Sequence, residues 1–243
     1  MKKNIPNLIA LLLFIYSFNV EAQQTRSLWV NGVAGLNSSW ILNQSAYGNQ
    51  EMAYASTFGL TGGLGVNYFI DKVWGLSGST FLSRLGQNYA GVQAGADAKR
   101  QVKLTYIEVP LMLMRQIPDL EYPTWISAGP DIMILLNARQ EYSREGGNEL
   151  PNPAGMATGD ITDRFKPFDI ALNFSLNRMI DLNYSRNIML LFSINSSLGL
   201  LDINGADWQL DNTHNIYASS HNFYIGAKLG LMFKAKKYGY SRW

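Results

Sequence analysis

The side chains best suited to move a proton near neutral pH are the histidines, and there are two, His214 and His221. Ser219, Ser220 and Asp211 lie close by in the chain. A hydrolase needs a serine nucleophile, a histidine base and an acid that orients the histidine. Nearness along the chain does not make a triad, so no catalytic residue is assigned and the chain is read as no enzyme. Glu108, Asp131 and Lys228 form a second set, two acids and a base far apart in sequence. A third lies in the Gly- and Pro-rich stretch 138–165, where Glu141, Glu145, Glu149, Asp160 and Asp163 could offer oxygen ligands to calcium. They lack the fixed spacing of a calcium loop, and no metal or cofactor is expected. With no cysteine, a disulfide, a zinc–thiolate site and a thiol nucleophile are all excluded.

What would position these residues is a set of strands. Past residue 22 no apolar run is long enough for a membrane helix; the recurring pattern is alternation, the period of a strand with two unlike faces. In Phe168-Ile170-Leu172-Phe174-Leu176 the partners are Asp169, Ala171, Asn173, Ser175 and Asn177; Phe58–Tyr68 and Phe223–Phe233 alternate likewise. Runs beyond ten residues exceed the usual soluble strand of about five or six and suit a tilted membrane strand of about 9–11. About eight such segments occur, at 27–37, 56–69, 74–85, 102–115, 124–137, 166–179, 188–200 and 219–234. Long connections (38–55, 86–101, 138–165, 201–218) alternate with short ones (70–73, 116–123, 180–187). That is the parity of an outer-membrane barrel with long external loops, short periplasmic turns and both termini in the periplasm.

The pattern therefore predicts an all-β, eight-stranded antiparallel transmembrane β-barrel. Trp29, Tyr68, Phe69, Trp74, Tyr122, Trp125, Tyr184 and Phe233 are expected at the turn-side interface, and Trp40, Phe165 and Trp208 at the other. A soluble sandwich would leave its polar face wet, but here that face is mostly Gly, Ser, Asn and Thr, which suits a filled lumen. Charged residues are only 16% of the chain, and a net charge of +2 gives no case for nucleic acid. Lys2 and Lys3, the apolar stretch 5–18 and Val20-Glu21-Ala22 read as a signal peptide over 1–22, with the barrel in 23–243, about 27–234. The absence of a cysteine after that stretch excludes a lipoprotein.

Eight strands enclose a space that side chains just fill. Counting in twos puts Glu108, Asp131 and Lys228 inside at similar depth, as a structural polar plug or as an ion path. Pro110 and Pro130 fall in adjacent strands; each removes a ladder donor, as a curvature-setting bulge or as a local opening towards lipid or a partner. Partners are expected to be outer-membrane lipid, and proteins docking on the external loops, above all 138–165, or on the basic, aromatic tail (Lys234, Lys236, Lys237, Tyr238, Tyr240, Arg242, Trp243).

Tyr106-Ile107-Glu108-Val109-Pro110-Leu111-Met112-Leu113 resembles the aromatic–hydrophobic–Glu–hydrophobic–Pro–Leu strand of the Bacteroidetes-type outer-membrane β-barrel family, labelled porin family or PorT-like. Ile126-Ser127-Ala128-Gly129-Pro130-Asp131 is similar to its Gly-Pro strand, and Asp169 and Ser197-Leu198-Gly199-Leu200 match further elements. The resemblance implies a barrel in the bacterial outer membrane with a structural or interaction role, such as an accessory subunit of a secretion, motility or assembly complex. A narrow small-solute channel and a lipid-modifying enzyme are the alternatives.

Overall fold

The computed structural model describes residues 26–118, 120, 122–145, 152, 153 and 155–238. The expected leader, Glu149 and the tail from residue 239 onward lie outside the described residues. The strands are β1 (Arg26–Leu42), β2 (Ala53–Ala55), β3 (Phe58–Phe69), β4 (Trp74–Gln93), β5 (Ala96–Ile117), β6 (Thr124–Arg144), β7 (Gly159–Asp160), β8 (Phe168–Asp181), β9 (Ile188–Gly199) and β10 (His221–Tyr238). Eight of them close a ring in the order β1-β3-β4-β5-β6-β8-β9-β10, every neighbour antiparallel, with β10 pairing back onto β1. The short β2 and β7 pair with β4 and β6 beyond the ring.

Alternation sets the two faces. On β8, Leu172 and Phe174 are exposed while Asp169, Ala171 and Asn173 are buried; on β10, Ile225 and Leu229 are exposed while Tyr224, Gly226 and Lys228 are buried. Leu36, Leu60, Leu64, Leu82, Leu113 and Phe192 continue the apolar outer band around the wall. A closed ladder with no sheet edge and an apolar exterior satisfies every requirement of a hydrocarbon environment. The fold is an eight-stranded transmembrane β-barrel.

The short turns are built by side chains that imitate backbone. Asp71 Oδ1 accepts from the N–H of Val73 and Trp74, both at 2.6 Å, and Asn183 Oδ1 accepts from Asn187 (3.0 Å) and Ile188 (3.2 Å). At the opposite end the wall is uneven. Instead of the expected loop over 86–101, β4 and β5 run on to a two-residue turn at Ala94 and Gly95, both at positive φ (51° and 79°), the geometry that matches strand twist. The alternation continues there, but with Gln87, Tyr89, Gln93 and Arg100 as its buried members, so apolar counting does not register it. β5 is about eight residues longer than β8, roughly 26 Å of strand before tilt. A bulge in β6 opposite Thr105 and Tyr106 inserts Leu136 and reverses the facing, so that Ala138, Gln140 and Tyr142 point inward above it.

The facing is testable. Leu172→Arg, Ile225→Arg and Leu229→Arg should each cost about 2–4 kcal/mol, whereas Ser175→Ala, which removes one lumen hydroxyl, should cost about 1 kcal/mol. Urea unfolding in lipid vesicles, followed by heat-modifiable gel migration, measures both; equal losses would reverse the assignment.

Candidate functional site

The inward side chains form layers. At the short-turn end lies an apolar floor of Trp29, Phe69, Met114, Trp125, Met179, Leu191 and Met232, with the Phe69 and Trp125 rings 4.7 Å apart. This corrects the expected girdle. Trp29, Phe69 and Trp125 are only 3%, 8% and 4% exposed and close the lumen, leaving Tyr122, Tyr184 and Phe233 among the exposed rings outside. Phe165 and Trp208 likewise belong to the interior and cap of the loop end. Trp40 stays at the outer face, its ring 5.5 Å from that of Phe223.

Above the floor, Asn31, Asn67, Ser127, Ser175, Asn177 and Ser193 surround a cavity of about 70 Å³, room for a few waters. Ser127 and Ser175 hydroxyls meet at 2.6 Å, and Asn177 donates to both at 2.9 and 3.0 Å. The charged layer follows. Glu108, Asp131 and Lys228 are all buried and lie in the same lumen. Tyr224 donates to Glu108 Oε2 at 3.1 Å; Asn173 donates to Asp131 Oδ2 at 3.1 Å. Lys228 Nζ sits 3.9 Å over the Phe81 ring, and among the described residues no carboxylate oxygen comes within 4.0 Å of it. The ammonium is seated on an aromatic face rather than on either acid. Above this layer Asn222 donates to Tyr106 (3.1 Å) and Asp169 (3.2 Å), beneath an apolar cluster that includes Ile41, Leu104, Met133 and Ile203.

Pro110 faces the lumen and Pro130 faces outward. Each breaks one ladder. Pairing of β4 with β5 skips Val109 and Pro110, and pairing of β5 with β6 skips Leu111, Met112, Gly129 and Pro130. The register continues unchanged across both gaps; the bulge in this wall lies higher, at Thr105/Tyr106, and not at either proline.

Ser219 and His221 do meet, Oγ to Nε2 at 2.9 Å. Among the described residues no carboxylate lies within 4.0 Å of His221, and its Nδ1 is buried without a hydrogen-bond partner. The acid that would orient it is missing from the arrangement. His214 turns instead to Glu51, Nδ1 to Oε1 3.3 Å. Of the acids in 138–165, Glu141 pairs with Lys103 at 2.7 Å, which holds its carboxyl below the usual range, and Asp160 accepts from Thr162. Among the described residues no three acidic or histidine side chains converge as a metal site.

The arrangement that sequence reasoning missed is in the cap. Arg100 is fully buried between the rings of Tyr47 (4.7 Å) and Tyr89 (4.8 Å). Tyr47 meets Trp208 edge-on at 5.8 Å, Arg164 lies 3.9 Å over Trp208, and Tyr54 stacks near Tyr89 at 5.6 Å. One column of rings and guanidinium groups, in the order Tyr54, Tyr89, Arg100, Tyr47, Trp208 and Arg164, thus ties together three loops and the β4–β5 hairpin. Arg100 Nε donates to Gln140 (2.9 Å), which donates to Gly155 O and Ala157 O; Nη2 reaches Gln44 Oε1 (3.5 Å). Gln44 donates to Asn204 (2.7 Å), and Asn204 to Ser220 (2.9 Å). Asp202 locks the last loop. Burial works against its charge, but the Tyr217 hydroxyl, the N–H groups of Ser220 and Asn204 and the Lys166 ammonium hold its carboxyl below the ordinary range. The available signal was Gln and Tyr alternating where a loop was expected, with an arginine opposite.

A family model described as "Outer membrane protein beta-barrel domain" matches residues 21–205. No curated protein matches the chain. Among solved structures, it is similar to Neisserial surface protein A, at 12% identity over 86% of this chain and 98% of that one, TM-score 0.41. It is also similar to OprG from Pseudomonas aeruginosa, at 11% identity over 87% and 96%, TM-score 0.42. A third is the outer membrane protein AlkL in DMPC bilayers, at 11% identity over 92% and 97%, TM-score 0.41.

The charged layer makes a quantitative expectation. Lys228→Met removes the cation's contact on Phe81 and leaves two buried acids without a cation in their layer, and should cost about 2 kcal/mol or more. Adding Glu108→Gln should return part of that loss in a double-mutant cycle. Strict additivity would mean that the ammonium and Glu108 do not act on each other.

Proposed function

This chain belongs to the outer membrane protein beta-barrel domain family, and from that premise we propose that it is a closed, non-enzymatic barrel whose work is done by its cap. It is an integral outer-membrane protein. The long loops then face the outside and both ends of the barrel, near Arg26 and Tyr238, face the periplasm, as parity requires. Residues 1–22 direct export. The Tyr106–Leu113 and Ile126–Asp131 strands favour a Bacteroidetes-type, PorT-like member. The fitting role is structural and interactive: an accessory subunit of an outer-membrane secretion, motility or assembly complex, meeting its partner through the cap.

The observation that carries this reading is the double closure of the lumen. A floor of aromatic and Met side chains lies below the polar layers and an apolar cluster lies above them. We read these two layers as closing the lumen around its cavity of about 70 Å³, with the cap held by an internal network rather than left as free loops. Purified protein in a planar bilayer should give no steady conductance. Stable open-channel currents from the wild type would contradict the reading and favour a small-solute channel.

A further inference from the structure

A pocket of about 230 Å³ opens in the cap between the loop after β1 and the loop before β10. Asn43, Gln44, Tyr47, Tyr54, Asn212 and Ile216 line it. We propose that this pocket is a binding site for a neutral saccharide unit. The inference rests on the reading of the cap as the working surface and names what that surface takes.

The pocket is preformed. Asn43 N–H donates to the Tyr54 hydroxyl (3.0 Å), and Asn43 Nδ2 donates to Ser219 O (3.1 Å). Across the mouth, Thr213 donates to Glu51 Oε1 (2.9 Å) and His214 approaches the same oxygen. Gln44 and Tyr47 belong to the column built on Arg100, so one wall is anchored to the barrel itself. A site already ordered binds without the entropic cost of ordering loops.

Its chemistry eliminates the other ligand classes. An anion needs a cation in the wall, and no Lys or Arg is among the lining residues. Arg100 is fully buried behind Gln44 and Tyr47, its Nε and Nη2 on amide oxygens and its Nη1 unpartnered, and Arg164 is held by Trp208 and Gly155 O. A cation would have to displace Thr213 and His214 from Glu51, the one acid of the lining. An acyl chain would strand Asn43 Oδ1 and Asn212 Nδ2, the amide atoms left over once Asn43 Nδ2 donates to Ser219 O and Asn212 Oδ1 accepts from the His214 and Ile216 N–H groups. What remains is a ligand that is uncharged, both donates and accepts hydrogen bonds, and presents C–H faces. Amide groups match its hydroxyls, while Tyr54 and Ile216, both well exposed, give flat and aliphatic surface for its ring. The volume is below the roughly 300–1,000 Å³ of drug-sized sites, so one sugar ring or chain end fits rather than an extended oligomer.

The test uses the full chain in detergent micelles and saturation-transfer NMR. Glucose, galactose, mannose and N-acetylglucosamine are the probes; glucuronic acid and inorganic phosphate are the charged comparators. At least one neutral sugar should bind, roughly in the millimolar range. Ala218→Trp, which fills the pocket, should weaken binding roughly tenfold or more while heat-modifiable migration is unchanged. Competing arms with oligosaccharide cut from the cell's own surface and with dextran fragments assign the sugar to the same membrane or to the surroundings, and displacement in either supports the site. Binding of none of the neutral sugars, stronger binding of a charged comparator, or full binding by the Ala218→Trp variant overturns it. Limited proteolysis separates this from the wider reading: a cap that resists cleavage but takes no sugar overturns the saccharide alone, whereas a cap cut as readily as free loops overturns both.

Discussion

An inward side chain of an eight-stranded barrel has nowhere to go but against the other walls, so its polar groups depend on partners inside the lumen or on trapped water. The layering follows from that constraint. Ser and Asn occupy the middle, where short side chains bond to their neighbours on the same or the adjacent strand, as in the Ser127, Ser175 and Asn177 group. Large apolar groups close the space at the floor and above the charged layer. Between them lies the cavity of about 70 Å³, room for a few waters.

The same constraint explains how the protein buries two cations. Lys228 lies over Phe81 and Arg100 between Tyr47 and Tyr89, neither in contact with a carboxylate. For Arg100 an ion pair would require a carboxylate to be stripped of water as well, a cost that mutual attraction repays only with excellent geometry; beside Lys228 two carboxylates, Glu108 and Asp131, are buried already. An aromatic face attracts the cation without that second cost, and a desolvated contact contributes about 2 kcal/mol or more. Arg100 adds amide oxygens from Gln140 and Gln44, so its charge organises the cap from beneath. Loops that would otherwise lie free become a surface of defined shape.

How much of this was legible in the sequence depended on which physical signal each part carries. Strand number, connection parity and facing follow from apolar alternation, because lipid accepts only apolar side chains; Leu172 and Leu229 point out and Asn173 and Lys228 point in. The facing of Trp29, Phe69 and Trp125 was not legible from position near strand ends, since an aromatic there serves a girdle or a plug equally well and only its phase decides. The β4–β5 extension escaped because above the membrane both faces are polar, and Gln87 or Arg100 looks like loop to a hydropathy count. The cap escaped altogether: its contacts join Tyr47, Arg100, Arg164 and Trp208 across the chain, a pairing no local period records. Lys228 lies in the lumen, but its seat on the Phe81 ring joins β10 to β4, a contact that no local period records.

The claim on which the account turns is that the polar lumen is sealed from both sides, and the absence of native cysteine makes it directly measurable. Ser193→Cys puts a thiol beside the cavity, and Asp97→Cys puts one at the exposed tip of the β4–β5 hairpin. With folded protein in native membranes, a water-soluble maleimide should label Asp97→Cys readily and leave Ser193→Cys unmodified from either side until the barrel is unfolded. Labelling of Ser193→Cys at the rate of the hairpin thiol would contradict a closed lumen.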